Sequence, residues 1–176
     1  AINASRTLRR STTSLNKSLE KLSSGLRINR AADDAAGLAI AEGFRSIVRG
    51  TQVAQRNAQD GISLVQTAEG SLSETTNILQ RIRELAVQSA NGTQSTTNRQ
   101  AIQAEVTQLI AQIDDISTDT EFNGIRVLSV NQTVTLQAGA QASQTLAITM
   151  GGARSADLAV SALSVSSATQ ATSAIS

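Results

Sequence analysis

From Ile40 to Ala86, small or apolar residues recur at alternating steps of four and three: Ile40, Phe44, Ile47, Thr51, Ala54, Ala58, Gly61, Val65, Ala68, Leu72, Thr75, Leu79, Ile82 and Ala86. That spacing marks the seam of a helix that packs lengthwise against other helices. The seam persists for more than six heptads, and the chain has no proline to break it. The pattern predicts one long helix from about Asp34 to Ala90, with Asp33 or Asp34 accepting the free amides of its first turn. Gly37, Gly43, Gly50, Gly61 and Gly70 lie inside it. Each weakens an isolated helix by about 1 kcal/mol relative to Ala. Gly61 falls on the seam itself, which points to close approach by another helix there.

Shorter patterns flank this helix. Leu8, Leu15, Leu19, Leu22 and Leu26 form one stripe and predict a first helix over residues 4–28, weakened near Gly25. Residues 23–37 read as a hinge or irregular connector. Asn91-Gly92-Thr93 ends the long helix, with Gly92 expected in the left-handed cap conformation. A third helix starts near Ser95 or Thr96 and carries Ile102, Val106, Leu109, Ile113 and Ile116. Its short connection predicts an antiparallel pair of helices, closed by Phe122-Asn123-Gly124.

The period then changes from helical to two. Val134, Leu136 and Ala138, then Leu146, Ile148 and Met150, alternate with smaller or polar residues, and Gly139–Ser143 supplies turn material. These are the marks of a β-hairpin over about 133–150. Residues 153–163 suit one short helical turn, and Ser164 onward suits the start of another helix. The fold class expected is therefore mainly α: an elongated helical rod or bundle of long heptad-patterned helices plus a small β-hairpin.

Composition narrows the function. Among 176 residues, 40% are hydrophobic but only 1% aromatic, Phe44 and Phe122 being the whole set. Burial must then come from Leu, Ile, Val and Ala, which suits thin helices that finish their burial against neighbours. The absence of Cys and His removes thiolate nucleophiles, disulfides, the common metal ligands and the usual neutral-pH acid–base group. Asp33-Asp34 and Asp114-Asp115 are adjacent pairs, which point about 100° apart on a helix and make no acid–base dyad. No phosphate-binding loop is present, so no enzyme activity and no cofactor are expected.

Net charge is +1, yet residues 1–30 hold seven basic side chains and one acid, Glu20. Without interleaved aromatics, this basic helix is assigned to packing, with no nucleic-acid and no membrane partner expected. No apolar run approaches the ~18 residues of a membrane span. Arg81-Ile82-Arg83-Glu84-Leu85 is the densest charged stretch of the long helix, and helical spacing places Arg81 and Leu85 on one face with Glu84 beside them. By pattern alone this is a solvated face with local ion pairs.

Four segments resemble bacterial flagellin. Leu22-Ser-Ser-Gly-Leu-Arg-Ile-Asn-Arg-Ala-Ala-Asp-Asp-Ala-Ala-Gly-Leu-Ala-Ile40 resembles its N-terminal signature, and Arg56-Asn-Ala-Gln-Asp-Gly-Ile-Ser-Leu-Val-Gln-Thr-Ala-Glu-Gly70 its next block. Leu79 to Asn91, then Glu121-Phe-Asn-Gly-Ile-Arg-Val-Leu128, continue the register, and the likeness weakens beyond residue 130. The resemblance implies a secreted structural subunit that polymerises into the flagellar filament for swimming. Residues 1–23 would be an inner-tube helix, 24–36 a connector, 37–165 an outer helical domain and 166–176 the start of a returning segment. The chain begins without Met and is expected to be part of a longer one, its first helix short by several residues and its C-terminal helices lying further on. Export is expected without a cleavable secretory signal.

Further implications concern contacts. Helix packing and assembly would rest on Leu15, Leu19, Leu22, Leu26, Ile40, Phe44, Ile47, Gly61, Val65, Leu72 and Leu79. The same family is detected by a vertebrate Toll-like receptor, and Arg81, Leu85 and Glu105 match its contact positions, with Ile82 and Glu84 nearby. Other implied partners are copies of the chain itself, the flagellar export machinery and hook-associated proteins. The rival readings are a hook–filament junction protein, which shares terminal features with flagellin, and a basic coiled-coil adaptor for nucleic acid or membrane.

Overall fold

The computed structural model describes residues 1–175 and contains helices α1 (Ile2–Ser24), α2 (Ala35–Ala90), α3 (Thr96–Asp119) and α4 (Ala168–Ile175). Between α3 and α4 lie β1 (Glu121–Phe122), β2 (Ile125–Arg126), β3 (Gln132–Gln137) and β4 (Thr145–Met150), paired as two antiparallel hairpins. The protein is thus mainly α, with long helices and a small β component. It divides into two compact units, Ala1–Val53 and the part from Ala54 onward, with the boundary inside α2.

In the first unit, α1 stops at Ser24 rather than at residue 28. Gly25 adopts φ 68°, and its N–H donates to Lys21 O at 3.0 Å. Gly25 is therefore the left-handed C-cap and not a weak point inside a helix, and it leaves Leu26 in the connector. Asp34 caps α2 as expected, its Oδ1 accepting the Gly37 N–H at 2.9 Å. No residue of α1 is buried.

In the second unit, α2 and α3 run antiparallel, as the pairs Arg81–Glu105 and Ser71–Thr120 require. The buried face of α2 departs from the sequence expectation at some of its positions. Ala54, Gly61, Ala68, Thr75, Ile82 and Ala86 are buried as the heptad pattern implies. The alternate positions shift by one: Leu64 and Ile78 are buried, while Val65 and Leu79 are only half-covered and Leu72 stays 41% exposed. Adjacent apolar pairs such as Leu64-Val65 and Ile78-Leu79 satisfy either register by spacing alone. Ile78 packs with Ile102, Val106 and Ile113 of α3, whereas Leu64 packs with Val127, Leu128 and Met150.

In the second unit one helix end differs from expectation. Among described glycines only Gly25 and Gly124 have positive φ, so Gly92 is no left-handed cap. The Arg99 guanidinium closes α2 instead, donating from Nη1 to Ser89 O and from Nη2 to Asn91 O at 3.0 Å. Ser95 caps α3, accepting the Asn98 N–H at 3.2 Å.

Asn123 and Gly124, with φ 51° and 78°, form the two-residue loop of the β1–β2 hairpin where the sequence reading placed only the end of a helix. The β3–β4 register pairs Val134 with Ile148 and Leu136 with Leu146, and Met150 is buried. Residues 153–163 are turns rather than a short helix.

Two apolar clusters form this unit's core. One joins Ile78, Ile82 and Leu85 of α2 to α3, Val165 and Ala171. The other joins Leu64 and Ala68 to Val127, Leu128, Met150 and Ala153. Polar side chains hold the intervening loops on the helices. Ser89 Oγ donates to Val165 O at 2.5 Å and Ser117 Oγ to Leu128 O at 2.6 Å. Asp114 accepts both the N–H and the hydroxyl of Ser155, at 2.7 and 2.8 Å.

Candidate interaction surfaces

One candidate surface is the apolar one of the first unit. Leu15, Leu19 and Leu22 of α1 are 59%, 54% and 84% exposed. Leu26 of the connector, and Ile40, Phe44 and Ile47 of α2, are also exposed. Isolated exposed leucines are ordinary, but an amphipathic helix whose whole apolar stripe meets water is not. At about 25 cal/mol per Å² of apolar area, covering such a stripe would strongly favour association.

A second feature is the seat of the β3–β4 hairpin on α2. A Cβ placed on Gly61 would lie 2.2 Å from Leu136 Cδ1 and 3.5 Å from Ile148 Cδ1. One turn earlier, Asn57 Nδ2 donates to Gln137 O at 3.0 Å. The close approach inferred at Gly61 is present, but the visitor is a hairpin of the same chain rather than another helix. Ile62, Val65, Leu146 and Ile148 line a shallow apolar groove of about 380 Å³ beside it.

A third feature is polar. Arg81 Nε and Nη2 both donate to Glu105 Oε1 of α3, at 3.2 and 2.8 Å, and Nη1 donates to Glu84 Oε2 at 3.2 Å. The bonds to Glu105, then those to Glu84, raise the guanidinium pKa above its usual value. All three side chains are about half exposed or more. The structure therefore brings Arg81, Glu84 and Glu105 into one surface cluster.

Leu85 does not join that cluster. It is 2% exposed and packs in the core with Ile82, itself 4% exposed. Four residues advance a helix by about 40° beyond a full turn. That rotation carries Leu85 from Arg81's exposed face into the α2–α3 interface.

Sequence reading did not single out Arg99, Ser89, Ser117, Asn57 or the Asp114–Ser155 pair. Their partners lie 8 to 80 residues away, so no local spacing signals them. Among the described residues no group of acidic side chains could hold a metal ion, and no helix is long and apolar enough to cross a membrane.

Comparison with known proteins adds an independent line. The family described as the bacterial flagellin N-terminal helical region matches residues 1–133. Flagellin of Salmonella muenchen is 55% identical over 133 residues, covering 76% of this chain and 26% of the relative. The flagellar filament 33 kDa core protein of Treponema phagedenis is 56% identical over 129 residues, covering 73% of this chain and 45% of that protein. The crystal structure of Bacillus cereus flagellin superposes with TM-score 0.56 at 31% identity, covering 69% of this chain and 71% of that one. The chain thus spans about a quarter of the length of the Salmonella relative.

Proposed function

Because this chain belongs to the bacterial flagellin N-terminal helical family, we propose that it serves as a structural subunit of the flagellar filament, an extracellular helical homopolymer that drives swimming. One observation carries the reading: the first unit folds into helices yet leaves its apolar side chains uncovered, with none of α1 buried. Such a surface is stable in water only when neighbours cover it. Residues 1–23 would pack in the inner tube, 24–36 act as connector and 37–165 form the outer domain. The mechanism is geometric rather than catalytic. Helices pack side by side, their contacts set the filament's twist, and the tube transmits torque. Passage to the cell exterior would use the flagellar export machinery, and hook-associated proteins would adjoin the filament.

The test replaces Leu15 and Leu19 with Asp in the full-length parent protein, in a strain lacking the native copy. Hooks without filaments by electron microscopy, with helix content retained in the purified variant, is the expected result. Normal filaments would remove the apolar stripe from assembly. Deleting the native protein separates the hook–filament junction reading: loss of a junction protein leaves excreted monomers, whereas loss of this subunit leaves bare hooks.

A second reading rests on the exposed Arg81–Glu84–Glu105 cluster. We propose it as the contact for the vertebrate Toll-like receptor that senses flagellin, with Ile82 and Leu85 supporting it from inside the core. An arginine held by two carboxylates is a preorganised donor of the kind that anchors interfaces. Arg81→Ala and Glu105→Ala should weaken activation of receptor-expressing cells at unchanged helicity. Wild-type potency in both would leave the cluster as a solvated face.

A further inference from the structure

The chain contains two Asn-Gly pairs, Asn91-Gly92 and Asn123-Gly124. Both invite the same spontaneous chemistry, because a glycine carries no Cβ to hinder attack by its nitrogen on the preceding carboxamide. Asparagine counts among the heat-labile residues for this reason. Local sequence does not tell the two pairs apart, but the fold treats them differently.

Asn91-Gly92 lies in the exposed turn between α2 and α3. The Asn91 side chain folds along it, Oδ1 accepting the Thr93 N–H at 3.2 Å, which lays the carboxamide beside the Gly92 peptide unit. The Asn91 main-chain oxygen accepts twice, from the Gln94 N–H at 3.2 Å and from Arg99 Nη2 at 3.0 Å. Arg99 is buried, and its Nη1 donates to Ser89 O, so its positive charge is fixed at this peptide. Among the described residues no acceptor takes the Gly92 N–H. Asn123-Gly124 instead closes a tight hairpin, flanked by the Phe122–Ile125 pair, and among the described residues no side chain donates to its carbonyls.

We propose that Asn91 is a self-modification site, at which Arg99 and the amides of the α2–α3 turn promote conversion of the asparagine to aspartate and isoaspartate. Base from solvent first removes the Gly92 proton. The resulting amidate shares its negative charge with the Asn91 main-chain oxygen, where Arg99 and Gln94 already donate. The nitrogen then bonds to Asn91 Cγ, and the charge moves to Oδ1, where the Thr93 N–H donates. Collapse breaks the Cγ–Nδ2 bond and releases ammonia, its added proton coming from water, and leaves a five-membered succinimide. Water opens that ring at either carbonyl. One opening gives aspartate. The other gives isoaspartate, in which the main chain runs through Cγ and the oxygen that Arg99 holds becomes part of a free carboxylate. Either product adds a negative charge at the C-terminal end of α2, where the helix dipole disfavours it and the Arg99 guanidinium offsets it. The change is irreversible, so it marks the age of each copy of the chain.

To test this, the purified full-length parent protein is held in mildly alkaline buffer. Peptide mass spectrometry follows Asn91 and Asn123, isoaspartyl methyltransferase labelling identifies the product, and circular dichroism checks the fold. In the folded protein Asn91 should convert several-fold faster than Asn123, and in concentrated urea the two rates should converge. Gly92→Ala should nearly abolish conversion at Asn91 while keeping the fold, since nothing lies within 4 Å of the added Cβ. Arg99→Met should slow conversion at Asn91 and leave Asn123 unchanged, whereas mere loosening of the turn would speed it. Equal rates in the folded protein would overturn the site. So would a rate difference that persists in urea, or an Arg99→Met variant that converts Asn91 as fast as the parent or faster.

Discussion

In the first 53 residues no large apolar side chain is buried, whereas from Ala54 onward two clusters of them are. The same helix, α2, contributes to both: Ile40 and Phe44 are 61% and 64% exposed, while Ile82 and Leu85 are 4% and 2% exposed. Both stretches carry a helical apolar stripe. What differs is the presence of a covering element, since α3, the hairpins and the 153–165 segment supply one only in the second unit. An apolar stripe therefore states a demand for burial and does not say who meets it.

The sharpest way to break this comparison is to delete leucine atoms on each side of it. Leu85→Ala should lower stability by about 2–5 kcal/mol because it empties a site in the α2–α3 core. Leu22→Ala, on the open face of α1, should stay within about 0.5 kcal/mol. Urea unfolding of the second unit's helices measures both. Equal losses would mean that the first unit's stripe is covered within the monomer. The same experiment bears on receptor sensing, where any Leu85→Ala defect should follow from lost packing.

Next in size is Arg99, whose guanidinium holds the Ser89 and Asn91 carbonyls at the end of α2. Arg99→Met keeps much of the stem but leaves those acceptors unpaired, at about 1–3 kcal/mol. Hydrogen exchange should quicken locally at the α2–α3 turn. By the same measurement, amides of α1 should exchange much faster than those of α3, because little must be uncovered to open α1.

Glycine substitutions give a smaller and signed contrast. Gly43 and Gly70 have nothing within 4 Å of an added Cβ, so alanine there should stabilise by about 0.5–1 kcal/mol. At Gly61 the same methyl group meets Leu136. Overpacking of about 1–3 kcal/mol should outweigh the helix gain. Leu136→Ala in the Gly61→Ala background should remove the clash. Thermal midpoints of the four variants decide it, and equal gains at Gly61 and Gly43 would dismiss the hairpin seat.

The smallest expected effect on stability belongs to Glu105→Gln. Its pair with Arg81 is exposed on both sides, so the melting temperature should barely move and any shift should vanish in high salt. A clear loss of stability at high salt would make this pair part of the fold rather than a surface contact.

Sequence pattern made the helices legible because helical periodicity is local: Asp34 and Ser95 mark the starts of α2 and α3, and the Asn123-Gly124 loop had an equally local signal that went unused. The β3–β4 hairpin showed itself by alternation. The family was legible too, through long matched segments. Seam register was not, because Leu64-Val65 and Ile78-Leu79 offer two equivalent apolar choices that only α3 and the hairpin distinguish. The fate of Arg81 and Leu85 follows from the same cause. Spacing put them on one face, and the position of α3 turned one into surface and the other into core.

The sequence by itself thus determined the three long helices and the β3–β4 hairpin, and that the helices carry apolar stripes that demand burial. Tertiary structure alone decided which stripe positions are buried, that a hairpin occupies the space at Gly61, and that Arg99 rather than Gly92 ends α2. Secondary structure follows from side-chain periodicity and backbone preference within a few residues, whereas burial and polar pairing depend on elements tens of residues away that the chain must first bring together.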